Sequence, residues 1–175
     1  MRAKVKVTYL EMNSISEYQP KKIDGLHLRV DEVKLPLPSY NKFLYIAVGS
    51  KWNWRDKLAW PDARWHRYVN MPELRTWVAY LEGTPCGYFE LMKQHNGFVE
   101  IEYFGLLPQF IGRGLGGHLL SEAIEQSWGM GAKRIWLHTC DLDHPAALQN
   151  YLARGFKIYK TREEITTIPD PELNL

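Results

Sequence analysis

Four glycines, Gly112, Gly114, Gly116 and Gly117, fall within six residues, in Leu106-Leu107-Pro108-Gln109-Phe110-Ile111-Gly112-Arg113-Gly114-Leu115-Gly116-Gly117. Here a predicted strand passes into a predicted helix. Each glycine lowers helix propensity by about 1 kcal/mol relative to alanine, so clustering at a helix start signals a backbone that must approach something closely. Bare amides at the positive end of the helix dipole form an anion site, and a pyrophosphate suits it; the plainer alternative is a glycine-rich turn. Just upstream, Glu100 and Glu102 are spaced i, i+2 on one strand and therefore share a face. They are either proton acceptors or an ordinary solvated strand face. Downstream, His138, Cys140, Asp141, Asp143 and His144 gather, but without the Cys-x-x-Cys or His-x-x-x-His pairs of a zinc site, and no metal is expected. His144 or Asp143 reads instead as a cap for the next helix, and Cys140 as buried filler or a reactive thiol.

The surrounding periodicities supply the elements that must position these residues. Lys4–Leu10 alternates as a strand and Leu26–Val30 as a short second one. Ser39 is placed to cap a helix that ends at Gly49. The aromatic-rich stretch Trp52 to Tyr68 reads as helical for most of its length despite Pro61, its tryptophans lining an amine pocket or covering the sheet. Arg75–Leu81, Gly87–Lys93 and Phe98–Leu107 form a meander through Glu82-Gly83-Thr84-Pro85 and Gln94-His95-Asn96-Gly97. Leu115, Leu119, Ala123, Ile124 and Ser127 make one helical face closed by Gly129 and Gly131. Arg134–Thr139 is a strand, Ala147, Leu148, Tyr151 and Leu152 a helical stripe stopping at Gly155, and Phe156–Thr161 a last strand. The order is an α/β domain around a mixed sheet, with residues 1–165 as one domain and 166–175, containing Pro169 and Pro171, as a loose tail.

The loop lacks the Gly-Lys-Ser/Thr of a P-loop, and it follows a strand that closes a meander rather than the first strand of a βαβ unit. Gly112-Arg113-Gly114-Leu115-Gly116, after the strand end Leu106-Leu107-Pro108, resembles the pyrophosphate loop of the GNAT superfamily of N-acetyltransferases, with Ile111 where the family has Gln or Arg. Ala147-x-x-x-Tyr151-x-x-x-Gly155-Phe156 resembles the family's later helix and strand, with His144 where Asn is common. The resemblance covers roughly Arg75 to Lys160. It implies a GNAT fold, a mixed, mostly antiparallel sheet with flanking helices and a splayed parallel strand pair holding CoA. Acetyl-CoA would be the cosubstrate, contacted by Phe104, Gly105, Leu106, Leu107, Gly112, Arg113, Gly114, Leu115, Gly116, Gly117, His144 and Tyr151. The family commonly protonates the leaving thiolate from the Tyr151 position, and Glu100 aligns with the catalytic glutamate of its histone-acetylating branch. Glu102 lies nearer the expected thioester. The implied reaction moves an acetyl group to a primary amine, on a small molecule, a protein lysine or an N-terminus; a non-catalytic acyl-CoA-binding sensor or scaffold is the rival.

Bulk properties narrow the rest. A length of 175 residues suits one domain, and 45% hydrophobic with 24% charged residues is an ordinary globular balance. The net charge of +2 gives no electrostatic case for nucleic acid, and the pairs Lys21-Lys22 and Lys133-Arg134 read as solvated surface. No apolar run approaches the ~20 residues of a membrane span. Two cysteines, Cys86 and Cys140, make no disulfide framework and suit a reducing compartment, so a cytoplasmic protein, monomer or homodimer, is expected.

Overall fold

A computed structural model describes residues 2–25 and 27–168. In chain order the elements are β1 (Arg2–Met12), β2 (Leu28–Glu32), α1 (Pro38–Gly49), α2 (Asp62–Val69), β3 (Leu74–Leu81), β4 (Thr84–Lys93), β5 (Phe98–Leu106), α3 (Leu115–Gly129), β6 (Arg134–Cys140), α4 (Ala147–Ala153) and β7 (Lys157–Thr167). The seven strands form one sheet in the order β2-β3-β4-β5-β6-β1-β7. Every neighbouring pair is antiparallel except β5 and β6.

The two faces are filled by different parts of the chain. Leu115, Leu119, Leu120, Ala123 and Ile124 of α3 pack with Leu10, Met12, Phe89, Ile101, Ile135, Leu137, Tyr151 and Phe156 in the main core. On the opposite face α1 and α2 bring Leu44, Tyr45, Val48, Trp65, Tyr68 and Val69 onto β3–β5. The β3–β4 turn is tight because Glu82 and Gly83 both take positive φ, 50° and 84°, which matches the right-handed strand twist.

Several local expectations are corrected. Ser39 does not cap α1: Leu37 holds that position without a side-chain bond, and Pro38 starts the helix, where a missing N–H is harmless. The aromatic stretch is helical only from Asp62, because Pro61 occupies the N-cap and Trp52–Trp60 runs as turns. In α4 only Tyr151 of the expected stripe is buried, and Leu152 is exposed. β7 continues to Thr167, so Thr166 and Thr167 of the expected loose tail are strand; Pro169 and Pro171 lie outside the described residues. Of the basic pairs, Lys21, Lys22 and Lys133 are exposed as expected, with Lys22 Nζ bonded to Glu122 (2.5 Å) and Glu125 (2.8 Å); Arg134 is half-buried and its Nε bonds Glu11 (2.6 Å).

Gly155 closes α4 with φ +105°, and a Cβ there would fall far inside van der Waals contact with the Glu17 carbonyl oxygen. The same contact region ties Gln19 N–H to the Arg154 carbonyl (3.0 Å). Gly155→Ala is therefore expected to destabilise the protein by about 3 kcal/mol, lowering the melting temperature by roughly 10 °C. A melting curve unchanged from wild type would refute this reading of the turn.

Candidate active site

The parallel partners β5 and β6 are paired only through Phe98↔Arg134, Val99↔Ile135 and Glu100↔Trp136. Beyond that point β5 runs to Leu106 and β6 to Cys140 with no ladder between them. The pair therefore splays, and one edge of β5 is left without a strand partner. Leu107 N–H donates to the Cys86 carbonyl (2.9 Å). By the alternation of an antiparallel ladder Gly105 also turns its backbone to β4, and Phe104 and Leu106 turn theirs to the open side. Of the four residues expected to offer backbone groups to the cleft, Phe104 and Leu106 are the two whose groups turn away from β4. Gly105 instead lets Val48 of α1 approach the sheet closely.

At the mouth of the splay Gly114 is the N-cap of α3, left-handed at φ +77° and without a side-chain cap bond; Gly112 has φ +82°. A Cβ at either would meet nothing within 4 Å, so these glycines set the backbone path and leave space in front of the first amides of α3, which have no intrahelical acceptor. Leu115 sends its side chain into the core and can offer only its amide. The Gly116 carbonyl accepts from Asn150 Nδ2 (3.1 Å), joining α3 to α4. Gly117 lies against the side chains of Lys21 and Arg154, and Arg113 stands 5.1 Å from the centre of the Phe110 ring. Three cations thus surround the loop. Lys21 and Arg154 were not readable as part of it, because the segment through Lys21 reaches α3 across 100 residues, by Lys21 N–H donating to Ser121 Oγ (2.9 Å). Open amides, a helix dipole and cations fit a pyrophosphate.

Tyr151 is buried, its ring centre 6.0 Å from Phe104 and 6.3 Å from Phe156. Burial, then the charge of Asp143, pushes its phenol above the ordinary tyrosine range, so it carries its proton at neutral pH. Asp143 does not cap α4: its carboxylate accepts from Thr139 Oγ1 (2.6 Å) and Cys140 N–H (2.9 Å), finishing β6 instead. His144 Nδ1 accepts from Ala146 N–H (3.0 Å) just before α4, and its ring meets the edge of Trp52 at 4.9 Å. Burial and Asp143 raise the Cys140 thiol, which argues against a reactive thiolate. Among the described residues no group of three or more His, Cys, Asp or Glu could hold a metal ion.

The carboxylates are set by a β-bulge. Glu90 opposes Tyr103 and Leu91 opposes Ile101, so Glu102 is the extra residue. Glu102 and Tyr103, which would point to opposite faces of a regular strand, both turn to the α1/α2 side. Glu102 is pushed up to about 7 by burial, then by the charge of Glu100, with Lys57 opposing. Glu100 Oε1 lies 3.6 Å from His138 Nδ1. That contact raises the imidazole's pKa, with burial acting against it.

Around this pair lies a polar network that the sequence did not announce. Glu90, 1% exposed, accepts from Asn41 Nδ2 (2.9 Å) and the Tyr68 hydroxyl (2.5 Å). Asp56 accepts from the hydroxyls of Tyr45 (2.6 Å) and Tyr103 (2.6 Å). Lys57 is 3% exposed, with Nζ 3.5 Å from the Tyr68 ring centre, 4.2 Å from Tyr103 and 4.9 Å from Trp60. Of the two readings of the tryptophans, amine pocket or cover for the sheet, the packing favours the second for most: Trp65 is in the core with Trp54 and Trp60 against it, Trp60 also lies between Lys57 and Arg64, and Trp52 lies on His144. The one signal in the sequence was Asp56-Lys57, a charged pair inside an aromatic stretch. Beside Asp56 a cavity of about 530 Å³ opens between Asn53, Arg55 and Asp56 and the Ile165–Thr167 end of β7.

A mixed sheet with one splayed parallel pair and a glycine-capped helix at its mouth makes this an α/β domain with an open anion-binding mouth. The profile of the Acetyltransferase (GNAT) family matches residues 42–156, and the chain belongs to that family. Among solved structures, a GCN5-related N-acetyltransferase from Sphaerobacter thermophilus superposes with a TM-score of 0.67 at 16% identity, over 92% of this chain and 50% of that one. A GCN5-related N-acetyltransferase from Kribbella flavida gives 0.64 at 15% identity, over 98% and 62%. An aminoglycoside acetyltransferase from an uncultured soil metagenomic sample gives 0.61 at 16% identity, over 76% and 90%. The chain thus spans one half to about two thirds of the length of several structures that it matches. The sequence matches no curated protein. Among the described residues no helix is long and apolar enough to cross a membrane.

Proposed function

We propose that this protein is an N-acetyltransferase that moves an acetyl group from acetyl-CoA to a primary amine. The observation that carries the reading is the splay of β5 from β6 beyond Glu100 and Trp136, with the amides of Gly114 and the first turn of α3 at its mouth. Acetyl-CoA supplies the acetyl group as a thioester. The α3 amides, with Arg113, Lys21 and Arg154, hold the pyrophosphate, and the open backbone groups of Phe104 and Leu106 hold the pantetheine arm. Glu102 accepts the proton of the acceptor ammonium at its carboxylate. That proton must be removed, because an amine of pKa ~10.4 is neutral in only about one molecule in a few thousand at pH 7. Glu100 shares the charge with Glu102, and His138 steadies Glu100. Tyr151 gives its hydroxyl proton to the departing sulfur.

The test is release of free thiol from acetyl-CoA with a panel of primary amines, read against pH. A base must be deprotonated to act, so activity limited by Glu102 is present above its pKa of about 7 and lost as pH falls through it. Glu102→Gln should remove that acid limb and depress kcat/KM by on the order of 10²-fold near neutral pH. A Glu102→Gln profile parallel to wild type would exclude Glu102 as the base. CoA binding without thiol release for any amine would point to an acyl-CoA-binding module.

A further inference from the structure

Lys57, a buried lysine that the reaction above does not use, sits in a cage of aromatic faces. Lys57 Nζ has no hydrogen-bond partner among the described residues. It is held instead by the faces of Tyr68, Tyr103 and Trp60. An ammonium withdrawn from water and given no acceptor is a costly arrangement, which asks for a compensating field. That field comes from carboxylates behind the rings. The Tyr68 hydroxyl donates to Glu90 and the Tyr103 hydroxyl to Asp56, which pushes electron density towards the ring faces that Lys57 touches.

Not all the surrounding carboxylates depend equally on Lys57. Glu90 already accepts from Asn41 and Tyr68, and Asp56 from Tyr45 and Tyr103. Among the described residues no side-chain or backbone donor bonds Glu102; the charges that act on it most are Glu100 and Glu90, two like charges, and Lys57. Of the other cations, Arg64 lies over the Trp60 ring at 4.1 Å, and the half-exposed His138 meets Glu100 first and Glu102 only as a weaker, more distant charge. The bulge turns Glu102 to the same side as Tyr103, the neighbouring residue whose ring centre lies 4.2 Å from Lys57 Nζ.

We propose that Lys57 is a positioning residue, a fixed buried charge that holds the Glu102 carboxylate in its ionised, proton-accepting form. This rests on Glu102 as the base of the proposed reaction. Burial lowers the lysine while Glu90, Glu102 and Asp56 pull it back up and Arg64 opposes them. Burial and Glu100 raise Glu102 while Lys57 draws it down. The two groups therefore stabilise each other's charged forms, and their coupling is reciprocal.

The experiment reads both sides of that coupling by carbon-detected NMR titration of the full chain, without ligand. In Lys57→Met, which keeps the stem and removes the charge, the Glu102 side-chain carboxyl should titrate about one pH unit higher than in wild type. Glu102→Gln assigns that resonance, and in the same variant the Lys57 Cε midpoint should fall by the same amount. A folded Lys57→Met with an unmoved Glu102 midpoint overturns the proposal. If Lys57→Met does not fold, the isosteric Glu102→Gln decides alone, and an unmoved Lys57 midpoint there overturns it equally. Neither measurement involves CoA or an amine. Failure of the acetyltransferase reading would appear separately, as loss of CoA binding with the coupling intact.

Discussion

Gly114→Asp is expected to weaken CoA binding by at least about 100-fold while the fold survives. The substituted residue takes the left-handed N-cap position, φ +77°, where a Cβ meets nothing within 4 Å. Aspartate tolerates that conformation better than most residues, so the strain is small. Its carboxylate would stand in the space in front of the first α3 amides, where the pyrophosphate is proposed to bind. Two like charges about 4 Å apart repel by roughly 1 kcal/mol in water and 4 kcal/mol near a protein surface, and 100-fold is about 2.7 kcal/mol. Gly114→Asn, similar in shape and backbone tolerance but uncharged, should lose much less. Calorimetric titration of CoA into both variants, with thermal melts of the free proteins, checks the result. Unchanged affinity in a folded Gly114→Asp would remove the glycine loop from the binding site.

Much of this architecture was legible because its signals are local. The alternation of β3–β5, the apolar face of α3 and the glycines that end it are written in spacings of two to four residues, and the element order follows from them. The glycine loop was legible for the same reason: its function depends on backbone groups that only the local sequence controls. What the sequence could not display is contact across long separations. β1 lies between β6 and β7, pairing Tyr9 with His138 and with Lys160, and nothing in the alternation of Lys4–Leu10 names those partners. The bulge at Glu102 is a mismatch between two strands and so belongs to neither sequence alone. It changes the meaning of the Glu100 and Glu102 spacing, since it places Tyr103 on the same face as well. Lys57 was hidden by its type, because lysine is seldom buried, and only the folded cage of Trp60, Tyr68 and Tyr103 makes its burial intelligible.

Tyr151→Phe is expected to lower kcat by on the order of 10²-fold and leave CoA affinity within a few-fold of wild type. The ring is fixed by Phe104 and Phe156, so phenylalanine should occupy the same place with one hydroxyl fewer. Both groups are pushed up, but with different consequences for the proton each carries, which gives the change its meaning. Glu102 is tuned to about 7, close to the pH at which it must accept a proton. Tyr151 is driven above its ordinary range by burial and by Asp143, so it stays a hydrogen-bond donor at neutral pH. Negative charge develops on the sulfur as it leaves the thioester, and a phenol that faces it stabilises that charge by donating its hydrogen bond or proton in the transition state. The loss should therefore fall on turnover with a good acceptor amine and not on binding, and it should shrink for an acyl donor whose leaving thiol is more acidic. Steady-state kinetics with acetyl-CoA and with such an activated thioester would separate the two cases. Equal turnover of Tyr151→Phe and wild type with acetyl-CoA would return Tyr151 to the core as a packing residue and leave protonation of the sulfur to water.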